Sequence, residues 1–341
     1  GNYPKIKKNS METTVDIREI NEKIQRESGF VEMIVQEMNK VIVGQKHLIN
    51  SLLIGLLSNG HILLEGVPGL AKTLAISNLA NTIESGFSRI QFTPDLLPSD
   101  ITGNEILDMK NNEFKVKHGP IFTNLLLADE INRAGAKVQS ALLEAMAENQ
   151  VTIGEETFKL EEPFMVLATA NPVEQDGTYE LPEASLDRFM LKVEVGYNNI
   201  DEEFEIVQRV ANKGFETINQ VLNVDELKNL KQQVHDIHID DEVSKYILKI
   251  IFATREPENY DLEEISQYIE FGASPRGSID LYKACKAYAF IQGKDFVTPA
   301  DVAKSAYLVL RHRIILNYEA QADDITVDNI IKKILQKIPT P

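Results

Sequence analysis

The apolar run Ile62-Leu63-Leu64 leads directly into Gly66-Val67-Pro68-Gly69-Leu70-Ala71-Lys72-Thr73, and a helical pattern follows at once across 74–83. Few folds accommodate that order. A buried strand, a glycine-bearing turn and a helix N-terminus in immediate succession aim backbone N–H groups and the positive end of a helix dipole at one small volume. Such a volume suits phosphate oxygens. Lys72 is placed to reach the β- and γ-phosphates of a nucleotide, and the Thr73 hydroxyl to ligate Mg²⁺. The loop departs from the G-x-x-x-x-G-K-[ST] pattern because Ala71 stands where glycine is asked for, and Gly69 supplies backbone freedom instead. A Gly/Pro turn ahead of an ordinary helix start would show the same letters, so a second signal is needed.

That signal is Leu125-Leu126-Leu127-Ala128-Asp129-Glu130, an apolar strand ending in two acids. Asp129 suits the Mg²⁺ shell, and Glu130 can orient or deprotonate an attacking water. Acids often cap strands at surfaces, but paired with the loop they point to a nucleotide site. Five short apolar runs (62–64, 89–92, 125–128, 165–168 and 191–195) alternate with helical or turn-rich segments, the pattern of a parallel sheet covered on both faces. Two stretches interrupt the alternation: 105–117, with Lys110-Asn111-Asn112, and 150–164, with Gly154-Glu155-Glu156, each reading as a β-hairpin inserted into the α/β core.

The flanks differ. Residues 1–15 read as a polar tail without period, and 16–38 turn helical, with Ile17, Ile20, Ile24, Val31 and Val35 on one face. Beyond residue 198 the strand signal fades. Asn223-Val224-Asp225-Glu226 and Thr298-Pro299-Ala300-Asp301 resemble capping boxes, and Ser274-Pro275 starts another helix. The organisation is thus a tail over 1–15, a nucleotide-binding α/β core over 16–198 and a small all-helical domain over 199–341.

Charge and cysteine content exclude several classes. Lys and Arg total 35 against 52 Asp and Glu, a net charge of −17 that disfavours a dedicated nucleic-acid binder or an anionic-lipid surface protein. A single cysteine, Cys285, rules out an internal disulfide and a cysteine zinc cage, and sits in an apolar helical stretch as a buried small hydrophobe. No apolar run reaches bilayer length, so the chain reads as a soluble cytoplasmic protein without membrane insertion. The six histidines are scattered, and 261–270 reads as an acid-rich amphipathic helix.

The loop, the acidic strand end, Gln91-Phe-Thr-Pro-Asp-Leu-Leu-Pro-Ser-Asp-Ile-Thr-Gly103, Ala168-Thr-Ala-Asn-Pro172 and Leu186-Asp-Arg-Phe189 together resemble the MoxR family of AAA+ ATPases, from about Val41 to Arg313. Many members carry alanine at the position of Ala71. The resemblance implies a P-loop AAA+ core with a helical lid, Mg-ATP hydrolysis, and a ring, a hexamer when active, that remodels or matures a protein complex. It implies a nucleotide contact along Gly66 to Leu74, and an adenine contact at Ile42, Val43 and Gly44, residues that read equally as a buried apolar turn. Asn171 falls at sensor 1, Arg188 at the arginine finger that enters a neighbouring subunit's site, and Arg276 at sensor 2, acting within its subunit or across the interface. Arg133 matches an intersubunit contact, and the hairpins match inserts turned toward a pore or client, or sheet-edge covers. Partners bearing von Willebrand factor A domains belong to the same implication. The alternatives are a magnesium-chelatase-like metal-insertion subunit, a nucleic-acid motor, and a nucleotide-switched scaffold with little turnover, the last disfavoured by Glu130.

Overall fold

A computed structural model describes residues 5–66, 70–171, 178–214 and 216–341. Its first half alternates strand and helix: α1 (Lys5–Asn39), α2 (Lys46–Leu57), β1 (Ile62–Gly66), α3 (Leu70–Thr82), β2 (Phe87–Gln91), α4 (Pro98–Thr102), β3 (Gly103–Asp108), β4 (Glu113–His118), β5 (Leu125–Asp129), α5 (Ala136–Glu148), β6 (Gln150–Ile153), β7 (Glu156–Lys159), β8 (Met165–Ala170), α6 (Glu183–Leu186) and β9 (Leu191–Val195). The polar tail expected over 1–15 is corrected here, since α1 already begins at Lys5. No glycine or proline stands between Lys5 and Gly29, so nothing stops the helix anchored by buried Ile24, Val31 and Ile34 from propagating backwards.

The five apolar runs form one parallel sheet in the order β2-β5-β8-β1-β9. Its strands alternate between two cores: Leu125 and Leu127 join the cluster containing α1, α2 and α3, while Leu126 and Ala128 join the one containing α5. Burial on both faces explains why these strands read as continuous apolar runs. Every parallel strand ends at the same edge of the sheet, where βα turns converge.

Both inserts are antiparallel hairpins. β3 pairs β4 from Gly103↔His118 to Asp108↔Glu113, and β6 pairs β7 from Gln150↔Lys159 to Ile153↔Glu156. They lean on each other through His118, stacked on Phe122 at 3.9 Å and edge-on to Phe158 at 5.0 Å. Ile106, Leu107, Met109 and Phe114 of the first hairpin stay exposed.

The remainder comprises α7 (Ile200–Gln208), which passes into a π turn over Arg209–Lys213, α8 (Val224–His235), α9 (Asp241–Arg255), α10 (Glu263–Ser266), β10 (Ile269–Phe271), α11 (Pro275–Ile291), α12 (Pro299–Leu310), β11 (Ile315–Leu316), α13 (Tyr318–Ala322) and α14 (Val327–Lys337). The capping boxes form as read, with Asn223 accepting from the Glu226 N–H and Thr298 from the Asp301 N–H. The expected helix over 261–270 does not form. Asp261 adopts a left-handed φ of 56°, α10 is a single turn, and Ile269 and Phe271 instead pair with β11, so an antiparallel ribbon interrupts the otherwise helical lid. Cys285 is buried, and that burial pushes its thiol up to about 12, keeping it protonated. Among the described residues no helix is long and apolar enough to cross a membrane.

Candidate nucleotide-binding site

The site lies across the ends of β1, β8 and β5. Asp129, the last residue of β5, is buried. Its Oδ1 accepts from Lys72 Nζ at 2.9 Å and from the Thr169 hydroxyl at 2.7 Å, and its Oδ2 accepts from an Arg89 Nη at 2.6 Å. Burial alone would raise the Asp129 carboxyl; the hydrogen bonds from Thr169, Arg89 and Lys72 outweigh it and hold the group below the ordinary carboxylate range. Glu130 follows in the left-handed region, at φ 56° and ψ 56°, a conformation a non-glycine residue keeps only when its surroundings impose it. The imposing contact is the Glu130 N–H, which donates to Thr169 Oγ1 at 2.8 Å. One hydroxyl thus fixes both acids. The Asn132 side chain brackets the backbone of Asn171, donating to its carbonyl at 3.1 Å and accepting from its N–H at 3.3 Å.

A cleft of about 290 Å³ opens beside these groups, with Gly66, Ala71, Lys72, Glu130, Thr169 and Asn171 among its walls. Gly66 is obligatory on steric grounds: a Cβ there would strike the Val195 carbonyl. Val41, Ile42, Val43 and Leu74, with Ile206 of α7 and Arg209 of the π turn that follows it, line an adjoining apolar cavity of about 50 Å³. Ile42 and Val43, read from the resemblance as an adenine contact, are buried in the wall of this cavity. Gly44 is exposed and turns the chain at φ 69°, its Cα covered by the Glu202 carboxylate, and is not among the residues lining either cavity. Across the cleft Gln45 donates to the Asn198 amide oxygen at 2.7 Å, joining the start of α2 to the link between core and lid. Thr73 and Leu74 lie in the first turns of α3, whose backbone starts at Leu70. Val67, Pro68 and Gly69, expected in the phosphate loop, lie outside the described residues, as does Pro172 of the sensor-1 motif.

An ATPase family associated with various cellular activities (AAA) matches residues 61–191, and an AAA lid domain matches residues 263–334. The chain is 45% identical over 311 residues to Chaperone MoxR1 of Mycobacterium tuberculosis, spanning 91% of this chain and 82% of that protein. It belongs to the MoxR family of AAA+ ATPases. It is also 26% identical to Protein MoxR of Methylorubrum extorquens, over 90% of this chain and 94% of that one. A crystal structure from Cytophaga hutchinsonii, of a candidate ATPase 48% identical, matches with a TM-score of 0.90 over 96% of this chain and 99% of that chain.

In this MoxR-family chain two expected site residues stand away from the cleft. Arg188 and Arg276 are both exposed, and neither side chain has an ion-pair partner among the described residues. Each is held by its backbone instead. Asp187, just before Arg188, accepts from the Ser274 hydroxyl at 2.7 Å and from Arg313 Nε at 2.8 Å, and Ser274 is the N-cap residue of the helix that carries Arg276. Arg313 is buried and further donates to Asp280 and to the carbonyls of Met190, Val309, Asp187 and Phe189. Arg133 pairs loosely with Glu130 at 3.5 Å.

Thr169, Asn132, Arg89 and Arg313 escaped the sequence reading. Thr169 sits inside the 168–172 motif and Asn132 two residues past the acidic strand end, yet only the placement of β8 beside β5 reveals what they hold. A cation within the β2 run was a visible oddity at Arg89. Nothing local marks Arg313. As for a metal, the described residues gather no cage of three or more His, Cys, Asp or Glu. One carboxylate, Asp129, with the Thr73 hydroxyl and phosphate oxygens is an all-oxygen donor set that fits Mg²⁺ held jointly with a nucleotide.

Proposed function

We propose that this protein hydrolyses Mg-ATP and works as a ring-forming, chaperone-like remodelling or maturation factor for a protein complex. The observation carrying the first half is the placement of Asp129 and Glu130, both held by Thr169, with Lys72 bonded to Asp129 and lining one cleft with Glu130. Adenine takes the apolar cavity at Ile42, Val43 and Leu74; Gly66 to Thr73 takes the phosphates. Thr73 and Asp129 would hold Mg²⁺, which when bound would supply charge withdrawal from the phosphate oxygens. Lys72 leaves Asp129 for the phosphates and neutralises further charge. Glu130 accepts the proton of the water that attacks the γ-phosphorus as the bond to the bridging oxygen breaks, and Asn171 orients that water.

The second half rests on Arg188 and Arg276. Arg188 is exposed and is not among the residues lining its own cleft, as suits a group whose partner is the phosphate in an adjoining copy, where it would stabilise transition-state charge. Arg276, at the start of α11, ties the lid to bound phosphate, and the Asp187 to Ser274 bond makes both arginines move with lid angle. The hairpins offer a surface for the client, a protein carrying a von Willebrand factor A domain being the class that the family resemblance suggests. The relative named Chaperone MoxR1 supports a client-directed role.

Glu130→Gln is the direct test. Steady-state hydrolysis should drop by about 100-fold or more while ATP still binds with wild-type affinity. Retained turnover in that variant would remove Glu130 from the mechanism.

A further inference from the structure

Asp129 carries two cations, and only one belongs to the phosphate loop. Lys72 holds Oδ1; Arg89 holds Oδ2 at 2.6 Å. Arg89 comes from β2, the edge strand, where it pairs laterally with Leu127 while Gln91 pairs with Asp129. Arg89 and Gln91 therefore share the face of the sheet on which Asp129 lies, with Arg89 its diagonal neighbour. The two cations are not equivalent. Lys72 has phosphate oxygens to move to when nucleotide arrives. Arg89 has a different outlet: its side chain is 49% exposed and its guanidinium already donates to Gln91 Oε1 at 3.2 Å. It can thus leave Asp129 without stranding a buried charge, whereas Asp129, whose side chain is only 3% exposed, cannot stay unpaired.

We propose that Arg89 is a displaceable counter-cation: it occupies Oδ2 of Asp129 until a divalent ion takes that oxygen, swings to Gln91 and solvent, and so sets the Mg²⁺ concentration at which the nucleotide site assembles. This rests on the reading of Asp129 as a Mg²⁺ ligand. The arrangement keeps a buried acid neutralised in the empty site and makes the metal, rather than the nucleotide, the competitor for that oxygen. Arg89 is a positioning residue on this account, since it touches neither phosphate nor water.

The test is Mg²⁺ titration of the binding of a fluorescent ADP to the full chain, in wild type and in Arg89→Gln, Arg89→Lys and Asp129→Asn. Removing the competitor in Arg89→Gln should lower the half-saturating Mg²⁺ by about fivefold, the size of a half-exposed ion pair, with Mg²⁺-free ADP affinity unchanged. Arg89→Lys, which keeps the charge, should stay near wild type and guards against a folding defect. An unchanged or raised half-saturating Mg²⁺ in Arg89→Gln overturns the proposal, the latter making Arg89 a support for the metal site. Loss of Mg²⁺-free ADP binding overturns it too, by making Arg89 a phosphate ligand. Asp129→Asn separates the two layers: if Mg²⁺ dependence survives there, the metal-ligand reading itself falls; if it is lost there while Arg89→Gln moves nothing, only the Arg89 proposal falls.

Discussion

At the residue scale the site turns on Thr169. Its hydroxyl donates to Asp129 and accepts from the Glu130 N–H, so it spends both its hydrogen-bonding roles on the acids. Thr169→Val keeps the shape and removes both bonds, leaving a buried carboxylate oxygen and an amide short of a partner. The expected cost is about 1–3 kcal/mol of stability, measured by denaturant unfolding. Turnover should fall by about 10–100-fold, as when a ligand-orienting group is lost, with ADP affinity close to wild type. Thr169→Ser should recover most of the turnover, and a Ser variant as slow as Val would show that the methyl, not the hydroxyl, matters. The motif containing Thr169 was legible in the sequence; its bond to the neighbouring strand was not, because 39 residues separate Thr169 from Glu130.

At the element scale, buried histidines splice segments together. His61, just ahead of β1, accepts from the Val166 N–H of β8 through Nδ1, which leaves Nε2 to donate to the Met146 carbonyl of α5 at 3.2 Å. That tautomer is neutral, and burial pushes the imidazole down to about 4 from an ordinary 6.5. His312, buried and donating to the Phe189 carbonyl through Nε2, is shifted the same way, by burial first and then by Arg313. Below pH 6.5 the unfolded chain takes up a proton that folded His61 refuses, so stability falls as pH drops, by up to about 1.4 kcal/mol per pH unit, and levels off near 4. Above pH 7 the group contributes no slope. Urea unfolding between pH 6.5 and 5 should therefore show a shallower pH dependence in His61→Gln than in wild type; equal slopes would refute a neutral buried His61. The same scale shows where periodicity misleads. The stretch 261–270 has helical spacing, but pairing with a strand that lies far along the chain outcompetes one marginal turn of helix.

For the whole molecule, the question is whether one chain makes a complete site. Glu130, Lys72 and Asn171 line one cleft, with Asp129 buried behind Lys72 and Thr169, whereas Arg188 is exposed and is tied through Asp187 and Arg313 to the lid junction. If a neighbour's arginine completes the site, specific ATPase activity must rise with protein concentration as copies associate. Arg188→Ala should flatten that rise and lower the plateau by about 10³-fold or more, while ATP binding persists. A rate per chain independent of concentration, and indifferent to Arg188, would mean that each chain works alone.

What the sequence by itself determined is whatever a short window encodes: the strand and helix on either side of the glycine-bearing 66–73 segment, the two acids closing an apolar strand, both hairpins, and the capped helices of the lid. In each, cause and effect lie within a few residues, through backbone geometry and periodic burial. The tertiary structure decided what depends on strand order and domain docking. Placing β8 between β1 and β5 lets Thr169 reach both acids, and placing β2 at the edge lets Arg89 reach Asp129 while half in water. Docking α11 and α12 on the core makes Arg313 a buried tie to Asp187, 126 residues away. Those contacts join residues with no relation along the chain, and a pairwise interaction across that distance leaves no periodic trace in a single sequence.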